Sequence, residues 1–158
     1  SNLEQALRSA REHGSYRFAE PMILIALSRA QRRKGNPKAA LAIALEVSEL
    51  TQERGWLGAA ARVALAHALL DASEENAQER ATSALDEATR LAHESGSVSR
   101  QPFIHEARAA IAAAAGDTEQ SERELAEADR LYLAMGTPRR ATPLRLESGE
   151  SRTESGRP

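Results

Sequence analysis

The sequence predicts an all-α fold, an α-solenoid of antiparallel helix hairpins with about three and a half repeats, on three observations. The first is a recurring layout. Gly116 to Gly136, GDTEQSERELAEADRLYLAMG, sets Leu125, Ala128 and Leu131 at helical spacing. The same template falls on Asn76, Leu85, Ala88, Leu91 and Gly96, on Gly35, Ala44, Val47, Leu50 and Gly55, and on Leu3, Ala6 and Gly14. The second is a ruler: Gly14, Gly55, Gly96 and Gly136 stand 41, 41 and 40 residues apart, with Glu46, Glu87 and Glu127 in the same frame. The third is that the inner breakpoints, Gly35, Asn76 and Gly116, are residue types that tolerate positive φ.

Residues 3–13 read as the second helix of a unit whose first is missing, as if the chain were cut from a longer array. Residues 17–34 form the next helix, with the most apolar patch at Met22 to Leu27. Pro21, and later Pro102, suit a first turn, where the missing N–H would have no partner anyway. Gly35-Asn36-Pro37 is a tight connection in which Asn36 caps and Pro37 starts helix 37–54, with Leu41, Ala44, Val47 and Leu50 on one side. Helix 56–72 is mostly alanine. Helix 77–95 follows, and Ser97 or Ser99 can cap helix 100–115. In helix 118–135, Asp117 and Gln120 have capping-box spacing, which satisfies two N–H groups at a helix start. Pro143 lies seven residues after Gly136, as Pro21 does after Gly14, so residues 143–147 read as the start of one more helix. The repeat domain is thus 3–147. Residues 148–158 read as a disordered polar tail, and Ser1-Asn2 as a possible scar of tag removal.

Composition limits the function. The net charge of −2 gives no global field toward nucleic acid or anionic lipid, and neither is expected as a partner. No apolar run approaches the roughly 20 residues that cross a bilayer. Cysteine is absent, which removes thiol chemistry and thiolate metal sites and fits a cytoplasmic location. Aromatic residues make up only 3 % and alanine dominates the apolar set, so helices approach closely while each contact buries little area. Stability is then spread along the array.

A two-helix unit of this period, with small residues at the turn and glycine after the second helix, resembles a lengthened tetratricopeptide repeat. Ala40 and Ala81 take that family's early small position in the second helix, Leu85 and Leu125 its bulky position, and Ala88 and Ala128 its later small one. Ser121, Ala44 and Val47 depart from it. In the first helices Leu24 and Leu65 fit, His105 does not, and the family's tryptophan, glycine and tyrosine pattern is absent. The long period, the Ala/Arg richness and endings such as LAHESG resemble arrays at the C-terminal ends of bacterial signalling and transcription-regulatory proteins.

The resemblance implies a concave face lined by first helices: Met22, Ile25, Arg29, Arg32 and Arg33, then Val63, Ala66, Leu70 and Glu74, then Phe103, Glu106 and Ala110. On one reading this is an apolar groove with a basic end that takes an amphipathic helix or extended peptide, the arginines meeting carboxylates. On the other, some of these residues are inter-helix core and Arg32-Arg33-Lys34 complements a helix C-terminus. Trp56 reads as a packing wedge or an interface anchor, and Arg139-Arg140 as a solvated turn or a contact for an acidic partner. His13, His67, His93 and His105 lack metal-ligand spacing, and no nucleophile elbow or phosphate loop is present. The expectation is a non-enzymatic protein-binding module without cofactor or metal. A homodimerising scaffold and a small-molecule sensor are the alternatives.

Overall fold

The structure, a computed structural model, describes residues 2–13 and 19–137, except the His13 side chain. Over these residues the fold is all-helical: α1 Asn2–His13, α2 Ala19–Arg33, α3 Pro37–Leu50, α4 Gly55–Ala72, α5 Ala77–Glu94, α6 Gln101–Ala114 and α7 Thr118–Ala134, with a 3-10 turn at Val98–Arg100 before α6. Residues 143–147, the polar tail, Gly14 and Arg139-Arg140 lie outside the described residues. Among the described helices none is long and apolar enough to cross a membrane.

Sequence neighbours pack as pairs, α2 with α3, α4 with α5 and α6 with α7. In addition α2 touches α4 and α4 touches α6, whereas α3, α5 and α7 make no contact with one another. The reason is visible in α4. Apolar helices must be covered on most sides, and α4 is buried on two: Ala59, Val63, Ala66 and Leu69 enter one buried cluster with α3, α5 and α6, while Leu57, Ala60, Ala61 and Ala64 enter a second with α2 and α3. Alanine at these places lets backbones approach on both sides.

The helix ends show how local chemistry cuts the chain. At Gly35, Gly96, Gly116 and Gly136 the residue after the glycine donates its N–H five residues back, to Gln31, Ala92, Ala112 and Tyr132 at 2.8–2.9 Å, and the glycine itself donates three residues back. This double closure requires positive φ at the glycine, which runs from 66° to 79° at these four. Asn76 has φ 58° and Ser73 φ 51°, so turn 73–76 carries two left-handed residues where the other units have one glycine.

Several sequence expectations change. Helix α3 stops at Leu50, four residues earlier than expected: the buried Thr51 hydroxyl donates to the Val47 carbonyl (2.7 Å) and residues 51–54 turn. Gly55 therefore opens α4 instead of closing α3, and Leu50 is 42 % exposed. Asn36 does not cap; its amide donates to the Gln31 side chain (2.9 Å). Neither Ser97 nor Ser99 caps, since the 3-10 turn leads straight into α6. Asp117 does accept from the Gln120 N–H (3.0 Å), but the box is half made. The Asp117 N–H is already spent on Ala112, so the Gln120 side chain turns to Glu124 (2.9 Å) instead.

Gly58 adds a junction that the glycine ruler does not mark. A Cβ there would lie 2.6 Å from the Thr51 carbonyl oxygen and 2.9 Å from a Leu91 methyl, so α3, α4 and α5 converge on a residue that must have no side chain.

Candidate functional site

Helical spacing sets three rows on one side of the contiguous α2, α4 and α6: Arg29, Arg32 and Arg33; Val63, His67 and Asp71; Phe103 and Glu106. Together with Ala64 they line an open cleft of about 400 Å³. Of the residues expected on the concave face, the cleft brings together Arg29, Arg32, Arg33, Val63, Phe103 and Glu106. Ile25 and Ala66 do not reach it, because both are buried in the core. Met22 is exposed outside the lining. Leu70 and Glu74 line a separate hollow beside turn 73–76 with Asn76 and Ala114, and Ala110 is half-buried.

The cleft is more polar than an apolar groove with a basic end. Val63 and Ala64 form a nearly buried floor, and charged side chains make the walls. Arg32 is not held for a partner: its Nε donates to Asp71 at 2.6 Å, tying α2 to α4. Both side chains are partly exposed, so the pair contributes below about 1 kcal/mol and mainly orients the wall. Arg29 and Arg33 make no ion pair among the described residues. Glu106 accepts from the Tyr132 hydroxyl (3.2 Å), and the Phe103 ring meets Tyr132 edge-on (5.7 Å, 87°), so α7 supports the α6 wall from behind.

His67 is half-buried in the cleft. Burial first, then the positive charge of Arg32, pulls its pKa down to about 4, with Asp71 opposing. The imidazole is therefore neutral near pH 7 and adds no charge to the arginine wall. With two acids against three arginines, the cleft is a cationic region on a chain of net charge −2.

Trp56 stands in the first turn of α4, 36 % exposed, with the Arg100 guanidinium over its ring at 5.0 Å. Arg100 lies over Phe103 as well (5.7 Å), which joins the tryptophan to the cleft edge. His67, Asp71, Tyr132 and Arg100 were not singled out as site residues by sequence. For His67 and Asp71 a signal existed: they follow Val63 at intervals of four on the same helix. Arg100 carried none, since its position depends on the 3-10 turn.

No protein-family model matches the chain, and neither a curated protein nor a solved structure is significantly similar to it.

Proposed function

We propose that the chain is a tetratricopeptide-like α-solenoid that binds a peptide or helical segment of a protein partner in the α2–α4–α6 cleft. One observation carries the reading: the first helix of each pair contacts the next first helix, and a single cleft is lined from all three. Contact along one row and none along the other is what a stack of hairpins with a concave inner face produces. The glycine closures at matching frame positions support it, although Gly55 departs.

Binding is favoured over catalysis because the lining carries guanidinium, imidazole and carboxylate groups over an apolar floor, but no hydroxyl, thiol or amine beside the histidine. No cofactor is invoked. By the same resemblance the module belongs in the C-terminal repeat region of a larger bacterial signalling or transcription-regulatory protein, acting in the cytoplasm. A second reading, pairing with another copy of the chain, draws on α7, where Leu125 and Leu131 are only partly buried and Leu133 is 67 % exposed.

Peptide-display selection against the whole chain, followed by chemical-shift mapping, tests the first reading. Selected peptides should perturb Arg29, His67 and Phe103, and the double substitution Arg29→Glu, Arg33→Glu should weaken them by at least about tenfold. Perturbations confined to α3, α5 and the outer side of α7 would refute the cleft. A dimer in sedimentation that Leu133→Glu dissolves would favour the second reading.

A further inference from the structure

Most arginines of the described residues already hold an acceptor. Arg32 holds Asp71, Arg90 holds Glu87, and Arg130 holds Glu127. Arg100 differs in three ways. Its guanidinium lies over two aromatic rings, Trp56 at 5.0 Å and Phe103 at 5.7 Å. Its Nε is shut from water without a hydrogen-bond partner. The electrostatic surroundings are also adverse: burial first, then the like charge of Arg29, lowers its pKa, and no carboxylate offsets them.

A desolvated cation without a counter-charge is costly, more so beside a second cation. Arg29 is exposed and has no ion pair among the described residues. Arg29 lines the cleft together with Phe103, and Arg100 lies over that same ring; two guanidiniums at one cleft edge become favourable when an oxyanion meets both, because each offers paired N–H donors to planar oxygen acceptors. Ring contact also reduces the ordering cost on the Arg100 side.

We propose that Arg29 and Arg100 together seat an oxyanion at the rim of the cleft, supplied by an acidic side chain of the bound peptide. This rests on the cleft reading and sharpens it: the anchoring pair is Arg29 with Arg100, and the basic run Arg32-Arg33-Lys34 is secondary.

The test is a titration of the ¹⁵N-labelled full chain, following arginine Nε–Hε signals at constant ionic strength set with chloride. One arm adds a hexaglutamate peptide and the other inorganic pyrophosphate. Saturable shifts of the Arg29 and Arg100 signals with the peptide are expected, while Arg90, already paired, stays still. Arg29→Gln, at an exposed position that spares folding, should weaken the peptide at least tenfold, and Arg100→Lys should do the same. Saturation by pyrophosphate alone would overturn the peptide as source of the anion, and with it the proposal. Linear drift, or equal affinity in Arg29→Gln, would overturn it outright. A selected peptide bearing a carboxylate that shifts His67 and Phe103 without moving Arg29 or Arg100 would overturn the anion seat and leave the cleft reading standing.

Discussion

The α4–α5 pair and the α6–α7 pair share a frame but not a fate. Leu85 and Leu91 on α5 are buried, whereas Leu125 and Leu131, which hold the corresponding positions on α7, are only partly buried. Ala88 and Ala128 between them are both fully buried. The alanine packs within its own pair, while the leucines depend on the neighbouring pair: α6 lies against α5, and among the described helices α7 touches only α6. In this chain a position's burial is set by the neighbouring pair as much as by the residue itself.

The largest expected effect tests that contrast directly. Leu85→Ala should cost about 2–5 kcal/mol in urea denaturation, by lost burial and a cavity. Leu125→Ala should cost less than half as much, since part of that side chain already meets water. Equal losses would break the comparison.

Acid should loosen the centre next. Because the folded-state pKa of His67 is depressed to about 4, the unfolded chain takes up this proton first as pH falls. The stability it protects is intact above about pH 6.5 and is lost progressively toward pH 4, a span of roughly 2–3 kcal/mol. His67→Gln should flatten that part of the stability–pH curve. Protection of the α4 amides relative to their intrinsic exchange rates that does not fall between pH 7 and pH 5 would contradict the assignment.

Smaller is the effect at the junction between pairs. Gly58→Ala should destabilise by about 1–3 kcal/mol, because the added methyl meets a backbone carbonyl that cannot rotate away. One period on, Ser99 sits exposed in the 3-10 turn, and Ser99→Ala should stay within about 0.5 kcal/mol. Thermal unfolding of the two variants side by side would show whether the junctions differ.

The all-helical class and most helix limits are legible in the sequence because glycines and prolines punctuate this chain through backbone geometry, which is local. Asn76 was correctly marked as a place for positive φ for the same reason. The end of α3 is not legible: the Thr51 hydroxyl takes the Val47 carbonyl in a turn buried beside Gly58 of α4, and that burial is not written in the local sequence. Ile25 was misplaced on the cleft face for a similar reason, since α2 is covered on more than one side and its apolar run hides which side faces out. The arginine wall could be anticipated as charge on one helix face. That Arg32 would be bound to Asp71, and Arg100 stacked between rings from two helices, required the packing of α2, α4 and α6 to be known.

The double burial of α4 carries a kinetic corollary. Its main partners, α3 and α5, are its immediate neighbours along the chain, so the largest apolar helix can gain most of its cover by closing only short loops. Contacts of such short sequence separation favour fast folding.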